Sequence, residues 1–528
     1  MLSITEQISS LRHPTEADME LVQQVIGDHE QACRLVEDKI DIQISLLKRL
    51  QREKQRHLDN IQYCRSIITL ARRIPREVLG KIFEICASSG WFRAPLAASQ
   101  VCSAWREASL YPRAWSNIYI DCASSGVLNR TRLWLSKAHE APLHITIDVF
   151  GESPYISPLL DLITQHQHQW YTFNIHAASC ILANRVTSRC FTYSPYLREV
   201  RILTTKTEPD GVPLDFRALR EAPRLFQLHL EQPDIFAWDA SPTLKSQITD
   251  LNIKLVSQDL LTLSFTGVSL INILQDLLGL RCLKLELSEP KKRVFVADNT
   301  PELELPNLES LTLTISDDAT SLLNYLQTPC LKSLSIQTSA EAISDPLIAQ
   351  HLISFLKYSP ALRALELYDV GVPREHLIHC FSLMPQLEEL RLHDSDISDI
   401  ELQALTGSSG YCPLLTRLDL RWCSYFSGRT LVDLVRSRIL DHDQKIMARS
   451  RSLREIKEIT AINCLHVEEQ DVISLAQLTI CRVVTRENDI CVERECCDNV
   501  RYRQRMKFRH LMDISNPPTS SFRLVLDH

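Results

Sequence analysis

Glycine is scarce, at 12 residues in 528, where an ordinary globular chain carries about 7%. The shortage argues against glycine-rich loops that wrap a backbone round phosphate, and neither GxGxxG nor GxxxxGK[ST] occurs. Also missing is any run of roughly 18–20 apolar residues, the length needed to cross a bilayer. The greasiest stretch, LLTLSFTGVSLINILQDLLGL, is divided by Ser264, Thr266, Ser269, Asn272, Gln275 and Asp276. The opening residues, MLSITEQISSLRHPTEADME, lack the basic start and apolar core of a secretory leader. A net charge of −7 gives no global attraction to nucleic acid or an anionic membrane. No Ser/His/Asp, Cys/His or HExxH arrangement stands out. The expectation is a cytoplasmic or nuclear chain that holds partners, with no catalytic residues, no cofactor and no metal.

Several smaller features have ordinary readings. The 17 cysteines are scattered among apolar residues, as in IFEICAS and LRCLKL, and read as reduced thiols that pack like small hydrophobes. HQHQW brings His166 and His168 near His176, but no further ligands complete a metal site. Asp394-x-Asp396-x-x-Asp399 lacks the glycine and terminal glutamate of a calcium loop and reads as a helix start. Cys491, Cys496 and Cys497 lack paired CxxC spacing. VRYRQRMKFRH interleaves Arg501, Arg503, Arg505, Lys507 and Arg509 with aromatic and apolar residues and reads as a solvated face.

Residues 1–14 are expected to be disordered. Residues 15–72 read as a long amphipathic helix, with Thr15 as N-cap and Asp18 three residues on. Seven-residue echoes at Ile40, Leu47, Ile61 and Ile68 suit a coiled coil, although Lys54 and His57 interrupt the seam. A bend is expected near Gly27. Folding back on the chain and self-association both remain open for this helix.

An internal repeat then dominates. The pattern of proline, leucine, an aliphatic and a second aliphatic recurs as PYLREVRI, PRLFQLHL, PNLESLTL, PCLKSLSI, PALRALEL, PQLEELRL and PLLTRLDL. GLRCLKLEL and SLAQLTI fit without the proline, and ITDLNI fits more weakly. Copies lie 23 to 32 residues apart, with helical text between them, such as IAQHLISFLKYS and REHLIHCFSLM. This resembles the leucine-rich repeat family, in which one strand and one helix cannot bury their apolar faces alone but stacked copies share a core. The expected fold is an α/β solenoid over 121–480, an irregular arc of βα units with a parallel sheet, and a cap or tail over 481–528. The family's closing Asn or Cys is clear only as Cys423.

Between helix and repeats lies Ile74-Pro75-x-Glu77-Val78-Leu79-x-x-Ile82-Phe83, then Leu96, Val101-Cys102-x-x-Trp105-Arg106 and Trp115. Proline is at home in the first turn of a helix, and Val78, Leu79, Ile82 and Phe83 make an apolar stripe behind it. Three short helices in so few residues make only a thin core, so some of these side chains need a partner to cover them. In order and spacing, residues 73–120 closely resemble the F-box. Ile74 in place of the usual leucine and the longer loop ASSGWFRAP are the departures. The resemblance implies docking on a Skp-type adaptor and, through it, on a cullin–RING ubiquitin ligase. By the same resemblance, Pro75, Val78, Leu79, Ile82, Phe83, Leu96, Val101, Trp105 and Trp115 contact the adaptor or hold its docking surface in shape.

A protein target is expected on the sheet face of the repeats, where Tyr368, His393 and Arg421 would form one row across neighbouring strands. The whole then acts as a substrate receptor of a ubiquitin ligase; a binding scaffold outside ubiquitylation has the same architecture. The order of helix, F-box and repeats is also similar to that of F-box-like proteins of mushroom-forming fungi.

Overall fold

The computed structural model describes residues 15–484, apart from 68–72, 206–213, 233–240, 256–269, 288–302, 316–321, 339–346, 448–452 and isolated positions of one or two residues. Residues 1–14, Cys491, Cys496, Cys497 and the cations Arg501 to Arg509 lie outside the described residues. The chain divides into two compact units, residues 1–82 with 98–109, and residues 83–97 with 110 onward.

Helix α1 (Glu16–Ile67) runs for 52 residues, about 78 Å at 1.5 Å per residue. Thr15 and Asp18 cap it reciprocally: Thr15 N donates to Asp18 Oδ2 at 3.0 Å, and Asp18 N to Thr15 Oγ1 at 3.4 Å. The helix is unbroken at Gly27, against the bend expected there. One glycine weakens a helix by about 1 kcal/mol without removing a hydrogen bond. Ile40, Leu47 and Ile61 are about half exposed.

After Pro75 come α2 (Arg76–Ser88), α3 (Ala94–Ser99) and α4 (Ser103–Ala108). Pro75 opens α2: its carbonyl accepts the Leu79 amide at 3.0 Å. Arg76 reaches Glu107 at 2.5 Å and ties the first turn of α2 to α4.

The second unit is an array of stacked βα units on one large parallel sheet, the fold class expected from the repeats. Its strands are β1 (Asn117–Asp121), β2 (Leu143–Val149), β3 (Trp170–Ala177), β4 (Glu199–Thr204), β5 (Gln227–Gln232), β6 (Asp250–Leu255) and β7 (Cys282–Leu287). They continue as β8 (Ser310–Ile315), β9 (Ser333–Thr338), β10 (Ala364–Tyr368), β11 (Glu389–His393), β12 (Arg417–Arg421), β13 (Glu458–Ile462) and β14 (Ile480–Val484). These 14 strands form one parallel sheet in strict chain order. Helices such as α5 (Val127–Ala138), α6 (Ile156–Thr164) and α7 (Cys180–Cys190) link the early strands. Later links include α8 (Pro242–Gln247), α9 (Ile348–Leu356), α10 (Arg374–Leu383), α11 (Asp399–Gln403), α12 (Gly428–Met447) and α13 (Glu469–Ala476).

The register explains the leucine pattern. Leu365, Leu390 and Leu418 are directly paired, as are Leu367, Leu392 and Leu420, and each is at most 1% exposed. Burying one such side chain contributes about 1.5–3 kcal/mol. The sheet begins earlier than 121, because Ile118/Ile120, Ile145/Ile147 and Phe173/Ile175 fill the same positions without leucine. Ile459 and Ala461 do so on β13. SLAQLTI is not a strand: Ser474, Leu475 and Ala476 are the last residues of α13, and β14 starts at Ile480.

Four strands end alike. Asp369, Asp394, Trp422 and Asn463 have φ between 51° and 55°, the left-handed region that, glycine apart, Asp and Asn enter most readily. Each turns its amide toward the next strand's last residue: His393 O, Arg421 O, Ile462 O and Val484 O, at 2.8–2.9 Å. Cys423 is joined by Cys464 in the closing position. Their thiols face Leu392 O at 3.4 Å and Leu420 O at 3.5 Å, back toward the preceding strand. Asp396 and Asp399 flank a helix start, as expected, where Ser398 and Glu401 form a capping box on α11.

Arg438 on α12 is fully buried and donates to Leu405 O at 2.8 Å, Tyr411 O at 3.1 Å, Cys412 O at 3.2 Å and Leu415 O at 3.4 Å. It closes the loop between α11 and β12. Arg438→Met should strand these acceptors and lower the unfolding free energy by about 3 kcal/mol, read as a lower denaturant midpoint. An unchanged midpoint would show that other groups take over the carbonyls.

Candidate functional site

On α2 the apolar stripe divides into two ridges. Leu79 and Phe83 are each 4% exposed, whereas Val78 is 48% and Ile82 38% exposed. Successive helix positions differ by about 100°, so residues i and i+4 share a ridge and i+1 lies on another. Ile85, one turn beyond Ile82, continues the outer ridge at 55% exposure. The motif has no residue at that place, and helical phase was the signal that could have identified it. Pro75 is exposed, Val101 is 61% exposed, and Trp105 and Leu96 are half-buried. Trp115 is sealed, with its ring edge-on to Trp134 at 5.1 Å. Leu79 and Phe83 are therefore core residues that anchor α2, and Trp115 packs in the repeat unit; all three are unavailable as contact groups.

On the sheet face, the residues between the leucines line up in rows. Tyr368, His393 and Arg421 are directly paired across β10, β11 and β12, as expected. His393, however, is only 7% exposed. The Tyr368 ring meets its edge at 5.6 Å, and Asp419 lies 3.8 Å from Nε2. Burial lowers its pKa first, opposed by Asp419 and Glu366 and reinforced by Arg421 and Arg391. It is a packed row member and offers little contact area. Arg421 is half-buried and committed to Asp419 through two hydrogen bonds of 2.8 and 2.7 Å.

The same self-pairing holds for its neighbours. Arg391 meets Glu389 at 2.7 Å and Arg417 meets Glu458 at 2.9 Å. At the opposite end of the sheet, Asp148 accepts from Tyr119 and meets His176 Nδ1 at 2.8 Å. Burial pushes the Asp148 carboxyl up, but these two hydrogen bonds outweigh it and hold it below its ordinary value. The Tyr119 phenol rises to about 12, chiefly through its bond to Asp148. His166 and His168 sit apart from this pair, on the turn before β3. Among the described residues no three His, Cys, Asp or Glu gather as a metal site, and no helix is long and apolar enough to cross a membrane.

The middle of the face is different. Arg201 Nη2 lies 3.0 Å from His229 Nδ1, and His229 is only 8% exposed. Lys254 is held between Glu286 at 3.2 Å and Glu231 at 3.5 Å. Burial lowers His229 to about 4, helped by Arg201, Lys284 and Lys254. A histidine depressed from 6.5 contributes stability that is fully present above pH 6.5 and is lost as pH falls toward its folded value. Melting temperature should therefore drop between pH 6.5 and about 4. His144, His166 and His393, also lowered by burial, add to the drop. His229→Gln, which does not titrate, should flatten this acid limb; an unchanged slope would locate the loss elsewhere.

No family model matches the chain, and no curated protein matches it. Solved structures with some likeness include the yeast complex of Rad7 and Elc1, at 16% identity over 68% of this chain and 79% of that one, with a TM-score of 0.34. A protein from Bacteroides fragilis shares 10% identity over 73% of this chain and 86% of that one, with a TM-score of 0.29. The TLR13–ssRNA13 complex shares 12% identity over 71% of this chain and 56% of that one, with a TM-score of 0.32.

Proposed function

We propose that this chain is a non-catalytic target-recognition subunit of a Skp/cullin/RING ubiquitin ligase, in the cytoplasm or nucleus. In this reading the helices after Pro75 form an F-box that docks on the adaptor, and the sheet face of the repeats holds a protein target. One observation carries it. Within the F-box-like pattern, Val78 and Ile82 stand exposed on the helix that Pro75 begins, while Leu79 and Phe83 anchor it from behind. A helix that spends one ridge on its core and leaves a second apolar ridge open suits a protein partner. Ubiquitin transfer belongs to the partner's RING and its conjugating enzyme. This chain contributes proximity, turning an encounter between two proteins into a reaction within one complex.

Two exposed positions test the docking. Val78→Glu with Val101→Glu places charges where an apolar interface must desolvate them, and both side chains lie outside the core. Recovery of adaptor and cullin with the affinity-purified chain should fall at least tenfold, with the circular dichroism spectrum unchanged. Undiminished recovery would remove the docking assignment. Recovery of adaptor without cullin from the wild-type chain would favour the scaffold reading.

The exposed seam of α1 supports self-association as a further part of this proposal. Ile40, Leu47 and Ile61 lie about half exposed on one face of an unbroken helix, and such a stripe is covered when two helices wrap round each other. Sedimentation should show a dimer that Leu47→Asp converts to a monomer. A monomeric wild-type chain at micromolar concentration would exclude it.

A further inference from the structure

Register decides which cations on the sheet face are neutralised. Lys254 has carboxylates at both paired positions, Glu231 and Glu286. Arg391 has Glu366 and Asp419, and Arg417 has Glu389 and Glu458. Arg201 is paired instead with Asn174 and His229. Lys284 is paired with Asn252 and Thr312. Among the described residues, neither Arg201 nor Lys284 has a carboxylate within ion-pair distance.

The hydrogen bonding around Arg201 is incomplete in a specific way. A guanidinium can only donate, so His229 Nδ1 accepts from it and the imidazole proton resides on Nε2. Among the described residues that buried Nε2 meets no partner, and neither does the buried Nε of Arg201. Two buried donors on side chains that are hydrogen-bonded to each other are what an anionic oxygen would satisfy. Lys284, unpaired among the described residues, adds an ammonium two strands from His229, about 10 Å away at 4.8 Å per strand. A peptide in the polyproline II conformation, with three residues per turn and a rise of about 3.1 Å each, sets side chains three residues apart on one face and about 9 Å from each other.

We infer that Arg201, His229 and Lys284 form a binding site for an acidic segment of a protein, carrying carboxylate or phosphate side chains about three residues apart. One acidic group meets Arg201 and His229, and the other meets Lys284. Between them in the row lies the neutral Asn252; in the next row of the same face, Glu231 and Glu286 flank the Lys254 that they neutralise. Those carboxylates admit two separated anions and repel a continuous phosphate chain. The Glu and Asp residues of the later strands likewise bound the donor patch, so a single-stranded RNA would meet repulsion where it needs counter-charge. The inference rests on the reading of the sheet face as the target-holding surface and does not depend on adaptor docking.

The test uses the purified full-length chain without adaptor and follows fluorescence anisotropy. Labelled probes are a ten-residue peptide with two phosphoserines three residues apart, the same peptide with two glutamates, the same with two serines, and a ten-nucleotide oligouridylate. At least one acidic peptide should bind ten or more times tighter than the serine peptide. Tighter binding of the phosphoserine form identifies phosphate as the preferred group; equal binding shows that carboxylates suffice. Lys284→Gln, at an exposed position, should weaken that binding about fivefold, and Arg201→Gln at least tenfold with an unchanged melting temperature. Arg417→Gln should leave it unaltered. Acidic peptides that bind no better than the serine peptide, variants that bind as well as wild type, or oligouridylate that binds as tightly as the peptides would each overturn the assignment. Adaptor docking is read separately by co-purification, so either result can fail without the other.

Discussion

One constraint organises the solenoid: a single strand with two inward leucines cannot remove them from water. Leu365 and Leu367 are dry because Leu390 and Leu392 stand directly beside them in register, and the helices close the layer above. The gain is shared between neighbours, so each unit needs the next, and a slip of one residue would turn every leucine outward. The strand ends guard against that slip. Asp369, Asp394, Trp422 and Asn463 each adopt a left-handed backbone and give their amide to the last residue of the following strand. The register is thus pinned at the same edge four times in succession.

The helical segment applies an opposite logic. It has too few residues to bury every apolar group it carries, and α2 resolves this by rotation. Leu79 and Phe83 take the inner ridge and Val78 and Ile82 the outer. The Arg76–Glu107 pair that joins α2 to α4 is exposed and contributes at most about 1 kcal/mol. The inner ridge therefore does most of the holding, which leaves the outer one available for a partner.

Legibility in the sequence followed chemistry that acts locally. Proline and leucine at fixed spacing located β4, β5 and β8 through β12, because those residues report helix ends and strand cores directly. β1, β2, β3 and β13 escaped because Ile, Phe and Ala fill the leucine positions. SLAQLTI misled because Leu475 is the buried face of a helix, where the leucine spacing means something else. The row of Tyr368, His393 and Arg421 followed from strand periodicity and was met by the register. The burial of His393 did not follow, because it depends on where the Tyr368 ring and the Arg421–Asp419 pair come to rest.

The same distinction explains why the donor patch around Arg201 is invisible in the one-dimensional sequence. RILTT, LHLEQ and CLKLEL look no more basic than their neighbours, and Glu231 and Glu286 make them look balanced. Balance by count is not balance by contact. Once the strands are paired, both glutamates converge on Lys254, and Arg201 and Lys284 face only neutral partners. A parallel sheet of directly paired rows sorts charge by register, so one strand's side chains acquire meaning only from those of the two beside it. Recognition on this face is consequently a property of three or four consecutive repeats at once, and changing a neutral row neighbour such as Asn252 to a carboxylate would silence Lys284 without touching it.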